Sequence, residues 1–178
     1  MEIFHPHYVT LKNGRAALVR FVEPRDAEAL IDCVNEIGSE MVYIMTEKLP
    51  HSPAEEEEIL RRIDRRVSLF LVATVDGRLV ASADVHQGRP SKSRHTGSLG
   101  IAIRREARGQ GLGKAMMEDM IRWSRSVGIK KLTLGVFETN APAISLYREC
   151  GFREEARLKG QVVIAGRPVD EILMARWL

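Results

Sequence analysis

Residues 101–114 read IAIRREARGQGLGK, a short apolar strand followed by a glycine-rich loop that runs into a helix. The glycines let the backbone adopt positive φ angles and approach a ligand closely. The first turn of the following helix has unpaired N–H groups and a partial positive charge, so an anion can dock there. Taken alone, the loop also fits an ordinary tight turn between a strand and a helix.

Two common nucleotide-binding patterns do not fit this loop. The P-loop pattern GxxxxGK[ST] fails, and a clean GxGxxG would need glycine at position 114, where Lys stands. Basic residues surround the loop, and a cluster of this kind favours an anionic ligand. They are Arg89, Lys92, Arg94, Arg104, Arg105, Arg108 and Lys114.

The segments on either side of the loop predict one mixed α/β domain that spans residues 1–178. Apolar periodicity and turn residues predict the element order β α α β β β α β α β β, with helices on both faces of one central sheet. Asp76-Gly77 predicts a two-residue hairpin turn. Ser52, followed by Pro53 and Glu55, predicts the start of a helix that runs to about residue 66.

Composition excludes several classes of protein. The net charge of +3, from 27 basic and 24 acidic residues, is too small to indicate nucleic-acid binding. No apolar run is long enough to span a bilayer, and the N-terminal residues do not resemble a signal peptide, so we expect a cytoplasmic protein. Cys33 and Cys150 are too few and too far apart for a metal site, and we expect them to be buried free thiols.

Two motifs together resemble the GNAT family of N-acetyltransferases. Arg108-x-x-Gly111-x-Gly113 after an apolar strand is similar to the pyrophosphate motif of that family. About thirty residues later, NAPAISLYRECGF at 140–152 resembles its second motif, N-x-x-A-x-x-L-Y-x-x-x-G-F. Residues 94–101 and 166–174 further resemble small-molecule and amino-acid acetyltransferases related to phosphinothricin acetyltransferases.

The resemblance implies a mixed, mostly antiparallel sheet of about six to seven strands, acetyl-CoA as cosubstrate, no metal, and a homodimer. It implies that main-chain N–H groups of the loop hold the CoA pyrophosphate, while the strand before the loop and the start of the second motif hold the pantetheine arm. The implied acetyl-CoA residues are Ile101, Ala102, Ile103, Arg108, Gly109, Gln110, Gly111, Leu112, Gly113, Lys114, Asn140, Ala143 and Tyr147.

The same resemblance implies direct attack of a neutral amine on the acetyl carbonyl. Tyr147 would protonate the departing thiolate, and a main-chain N–H near residues 101–103 would stabilise the developing oxyanion. Some relatives carry a carboxylate early in the strand before the loop, but residues 97–100 read GSLG and contain no acid. We therefore expect Glu138 to act as the base, with His86 and His95 as alternatives.

The identity of the acceptor stays open at this point. A free amino acid or related small amine is the first hypothesis, and a protein N-terminus or lysine side chain is the second. A non-catalytic CoA-binding regulatory module is the alternative from a different class, and a nucleotide-binding protein is a third. No nucleic-acid or membrane partner is expected.

Overall fold

The computed structural model describes residues 4–178. The strands are β1 (His7–Thr10), β2 (Ala16–Phe21), β3 (Ser68–Val75), β4 (Arg78–Gln87), β5 (Thr96–Ile103), β6 (Lys131–Phe137), β7 (Arg153–Ile164) and β8 (Arg167–Trp177). The helices are α1 (Ala27–Gly38), α2 (Pro53–Arg61), α3 (Leu112–Ser126) and α4 (Ala141–Glu149).

All these strands form one sheet in the order β1-β2-β3-β4-β5-β6-β8-β7. Every neighbouring pair is antiparallel except β5 and β6, which run parallel and are connected through α3. The predicted mixed, mostly antiparallel sheet is confirmed, but it has eight strands instead of six to seven. The additional strand is β1, whose four residues alternate in exposure at the sheet edge. So short an edge strand lacks the apolar run that marks an inner strand.

Pairing between β5 and β6 stops well before either strand ends. The paired residues run only from Thr96 opposite Lys131 to Ser98 opposite Thr133. Beyond them, β5 stays paired with β4, and β6 stays paired with β8. The two strands therefore diverge in the middle of the sheet. We call the gap between residues 99–103 of β5 and residues 134–137 of β6 the wedge.

Helices cover both faces of the sheet, as predicted. On one face α3 and α4 pack against alternate residues of the inner strands, and this larger core includes Met116, Tyr147, Leu71 and Leu132. On the other face α1 and α2 cover a smaller core that includes Leu30, Leu60 and Val72. Within residues 4–178, no helix is long and apolar enough to cross a membrane.

Local signals in the sequence predicted most element boundaries. Asp76 and Gly77 have φ angles of 49° and 81°, as a type I′ hairpin turn requires. Ser52 caps α2 as expected, but the helix ends at Arg61 and not near residue 66. The Asp64 side chain accepts a hydrogen bond from the main-chain N–H of Arg66 and so favours a turn. Both cysteines are free and buried, as predicted.

Candidate active site

The glycine-rich loop joins the end of β5 to α3 at the open end of the wedge. Gly109 and Gly111 have φ angles of +70° and +92°, and a Cβ atom on either would meet no atom within 4 Å. Gly111 caps α3, and the first helical N–H to find an acceptor is that of Ala115, which donates to Gly111. Within the part of the chain that the structure describes, no main-chain N–H of residues 109–114 donates to another protein group. Free N–H groups and open space at a helix start fit a phosphate group.

Arg108 holds the loop in place with its side chain. Its Nε donates to the carbonyl of Ile103 at 2.7 Å, and both terminal nitrogens donate to the carboxylate of Glu40. The guanidinium carbon also lies 4.1 Å from the ring centre of Tyr43. These contacts engage the whole guanidinium group, so Arg108 anchors the 38–51 segment to the end of β5. The motif arginine was predicted from the sequence, but its contacts with Glu40 and Tyr43 were not.

The neighbouring residues fix the loop on its other sides. The Gln110 carbonyl accepts from Lys12 N–H at 3.1 Å, and its side-chain oxygen accepts from Asn13 N–H at 3.1 Å. Leu112 is fully buried, so only its main chain can face a ligand. A Cβ atom on Gly113 would lie 3.1 Å from side chains of both β5 and α4. Glycine at 113 therefore allows α3 to approach the sheet and α4 closely.

The free edge of β5 can be assigned from its hydrogen bonds to β4. Arg104 N–H donates to Val80 C=O at 2.8 Å. Main-chain groups of successive strand residues point to opposite sides, so those of Ile101 and Ile103 face the wedge. The main-chain groups of Ala102 face β4 instead, because Ala102 lies two residues from Arg104 and its groups point to the same side. Ala102 therefore differs from its two neighbours, with its main-chain groups turned away from the wedge.

The second motif forms the start of α4 on the far side of the wedge. Asn140 is 8% exposed, and its Oδ1 accepts from the N–H of Ala143 at 3.2 Å. This bond caps the helix and uses the main-chain donor of Ala143. The Asn140 Nδ2 makes no hydrogen bond to any residue in the range 4–178. It is the group on this residue that remains available to a ligand.

Tyr147 lies on the same helix, on the side that packs into the core between α4 and the sheet. The residue is 7% exposed, and its ring lies 6.3 Å from that of Phe152. Burial raises the pKa of Tyr147 to about 12, with a smaller contribution from nearby Cys150. The hydroxyl makes no hydrogen bond to another described residue. Tyr147 thus stays protonated through the physiological range and keeps a free O–H donor.

Glu138, which the sequence predicts as the base, lies at the end of β6. Its carboxylate accepts from Asp170 N–H and from Arg157 Nη1, each at 3.1 Å. These partners belong to β8 and β7. Glu138 also lines a cavity of about 360 Å³ whose other walls come from α4, β7 and β8. Among the described residues, no hydrogen bond joins Glu138 to β5.

The two histidines named as alternatives lie in different places. His86 Nε2 is 3.1 Å from Asp84 Oδ2, and Asp84 raises the pKa of His86 against the opposing effects of burial and Arg89. His95 lies at the start of β5, where its ring stacks at 6.5 Å on Trp177. Asp84 is not among the site residues predicted from the sequence. The available signal was its two-residue spacing from His86, which places both side chains on one face of a strand.

Comparison with known proteins places the chain among acetyltransferases. The family model described as "Acetyltransferase (GNAT) family" matches residues 38–152. The L-amino acid N-acetyltransferase AaaT of Escherichia coli (strain K12) is 34% identical over 89% of this chain and 96% of that protein. The phosphinothricin N-acetyltransferase of Alcaligenes faecalis is 28% identical over 96% of this chain and 88% of that protein. The crystal structure of a ribosomal-protein-alanine N-acetyltransferase from Brucella melitensis is 28% identical, covers 90% of this chain and 99% of that one, and superposes with a TM-score of 0.79.

Proposed function

The chain belongs to the acetyltransferase (GNAT) family, and we propose that it transfers an acetyl group from acetyl-CoA to the primary amine of a free amino acid or related small molecule. One observation carries the proposal: the wedge opens where the glycine loop and α3 follow β5 and where α4 follows β6. A free main-chain edge and a helix start with unpaired N–H groups therefore border one gap in the sheet, and Tyr147 lies on the helix that follows β6.

The residues around the wedge fit acetyl-CoA. Free N–H groups of residues 109–114 would hold the pyrophosphate. Ile101 and Ile103 would pair with the pantetheine arm through their main-chain groups, as an added strand does. The Nδ2 of Asn140 would bind the same arm from the opposite side. Bound acetyl-CoA supplies the reactive acetyl thioester.

The chain's own groups would then move protons and stabilise charge. The protonated hydroxyl of Tyr147 gives its proton to the departing thiolate sulfur, which is general-acid catalysis. A main-chain N–H on the wedge side of β5 stabilises the negative charge that develops on the carbonyl oxygen. Glu138 is one candidate for the group that accepts the amine's proton. To do so it would exchange the hydrogen bond that it accepts from Arg157.

The name of the Escherichia coli relative supports an amino-acid acceptor. A protein N-terminus is the second candidate, because the Brucella melitensis structure is that of a ribosomal-protein-alanine N-acetyltransferase. A regulatory module that binds CoA without catalysis is the alternative from another class. We further propose a cytoplasmic homodimer that uses no metal.

Turnover assays with a panel of acceptors test the proposal. The protein is incubated with acetyl-CoA and separately with L-amino acids, phosphinothricin, a peptide with a free alanine N-terminus and a lysine peptide, and thiol release is followed. We expect the highest kcat/KM with a free amino acid or phosphinothricin. Preference for the alanine peptide would favour the second candidate. Acetyl-CoA binding without turnover on any acceptor would favour the regulatory module.

A further inference from the structure

Two glycines face each other across the start of the wedge. Gly100 on β5 and Gly135 on β6 each lie two residues beyond the last paired residues, Ser98 and Thr133. Gly135 is exposed although its strand is inside the sheet, and Ser98 is exposed as well. The sheet face that carries α1 and α2 is therefore open at this point. We call this open part of the sheet face, beside residues 98, 100 and 135, the cleft.

A carboxylate reaches over each of these glycines from the next strand. Asp84 on β4 is the cross-strand partner of Gly100, and a Cβ atom on Gly100 would lie only 3.1 Å from Asp84 Oδ1. The Glu171 carboxylate on β8 covers Gly135 from a diagonal position, since the direct cross-strand partner of Gly135 is Leu173. Glycine at 100 thus makes the room that brings an Asp84 oxygen to the edge of the wedge. This Oδ1 accepts no hydrogen bond from any residue in the range 4–178.

His86 holds Asp84 in that position. A carboxylate can only accept, so His86 Nε2, which lies 3.1 Å from Asp84 Oδ2, carries the proton. In the neutral ring Nδ1 then has the lone pair, and it accepts from the Ser68 hydroxyl at 3.2 Å. The chain Ser68–His86–Asp84 fixes one oxygen of the carboxylate and leaves the other turned toward Gly100. Glu171 has no such hydrogen-bonded partner among the described residues.

We propose that Asp84 takes the proton from the ammonium group of the acceptor and that His86 is the residue that positions it. This inference rests on the proposed acetyltransferase function. The N–H bond of the ammonium group breaks, an O–H bond forms at Asp84 Oδ1, and the electron pair stays on nitrogen for attack on the acetyl carbon. Asp84 then releases the proton to solvent in the open cleft. The arrangement accounts for the lack of an acid in residues 97–100, because the carboxylate reaches over β5 from β4.

The contact between His86 and Asp84 should make activity depend on pH. The charged groups that face His86 are Asp84 on its own strand, which favours the imidazolium, and Arg89 in the following loop, which opposes it. Ser68 on β3 and Ser98 on β5 are uncharged neighbours. A protonated His86 holds the Asp84 carboxylate in a charge-assisted hydrogen bond, which competes with the ammonium group for that carboxylate. Activity should therefore fall as the pH falls through the raised pKa of His86.

The test compares kcat/KM against pH for the wild type, Asp84→Asn, Gly100→Ala and His86→Gln. With an alkyl amine we expect Asp84→Asn to lower kcat on the order of 10²-fold or more. With hydroxylamine, which is already neutral at the assay pH, the loss should be much smaller. Gly100→Ala should lower kcat by displacing Oδ1 while removing no ionisable group. His86→Gln should abolish the acidic limb of the profile. The matched control is His7→Gln, since His7 lies 3.3 Å from Asp119 in another His–Asp pair, away from the cleft.

An NMR titration of His86 gives a readout that does not depend on turnover. Because Asp84 favours the imidazolium, the pKa of His86 should fall in Asp84→Asn. An unchanged kcat in a folded Asp84→Asn variant would overturn the inference. So would a pH profile that loses its acidic limb in Glu138→Gln or Glu171→Gln but keeps it in Asp84→Asn. Failure of the wild type to turn over any amine would instead overturn the proposed function.

Discussion

Tyr147→Phe is the substitution that most directly separates catalysis from packing. The change removes one hydroxyl group and keeps the ring, which is 7% exposed and packs near Phe152. The hydroxyl makes no hydrogen bond to another described residue, so its loss leaves no buried partner unsatisfied. We therefore expect the free energy of unfolding to change by less than about 1 kcal/mol. Truncation to alanine would by contrast cost about 3–5 kcal/mol.

The expected loss of activity is much larger than the loss of stability. A positioned general acid contributes about 10²- to 10⁴-fold to rate, which corresponds to about 2.7–5.4 kcal/mol of transition-state stabilisation. The pKa of Tyr147, raised to about 12 by burial, keeps the acid protonated at every practical assay pH. The loss in Tyr147→Phe should therefore be the same from neutral pH to moderately alkaline pH.

The assay measures kcat by thiol release, acetyl-CoA affinity by calorimetry and stability by denaturant unfolding. Tyr8→Phe is the matched control, because Tyr8 is 71% exposed on β1 and should leave all three quantities unchanged. We expect Tyr147→Phe to lower kcat while acetyl-CoA affinity changes little. A kcat equal to that of the wild type would remove Tyr147 from the acid role, and a parallel loss of stability would assign it to packing.

Three further substitutions test the loop and two buried carboxylates. Gly111→Val should weaken acetyl-CoA binding, because the φ of +92° at this position strains a β-branched residue and the new side chain would enter the space beside the free N–H groups. An acetyl-CoA affinity that calorimetry finds unchanged would mean that the phosphate binds elsewhere. Asp26→Ala should cost about 3 kcal/mol, because it leaves the largely buried Arg20 unpaired. Burial raises the pKa of Asp26, but the hydrogen bonds from Arg20 and from Glu23 N–H together outweigh burial, so the pKa is lowered on balance. The stabilisation by the Asp26 carboxylate is therefore present at neutral pH and is lost as the pH falls through the lowered pKa. A stability advantage of the wild type that persists in strong acid would contradict this. Burial raises the pKa of Asp119, so ionisation of this carboxyl lowers the stability of the fold as the pH rises. Asp119→Asn should therefore raise the melting temperature at pH 7, and the gain should fade in acid. A lower melting temperature at pH 7 would show that the ion pairs with His7 and Arg122 outweigh burial.

Local patterns were enough to predict the features that depend on neighbouring residues along the chain. The Asp76-Gly77 turn, the Ser52 cap and the glycine loop at the start of α3 each follow from a few adjacent residues whose φ angles or caps are dictated by side-chain chemistry. The family resemblance added the mixed, mostly antiparallel character of the sheet, which is confirmed, and the acid role proposed for Tyr147. Strand β1 was missed because a four-residue edge strand has too little apolar periodicity to be seen.

The sequence by itself therefore determined the fold class, the family and the glycine loop that begins α3. The tertiary structure alone decided which groups meet around that loop. Glu40 meets Arg108 across 68 residues of sequence. Asp84 reaches the wedge only because the β4–β5 register places it over Gly100. Such contacts depend on strand register and on where two strands diverge, and both are set by packing across the whole sheet, not by any local run of residues.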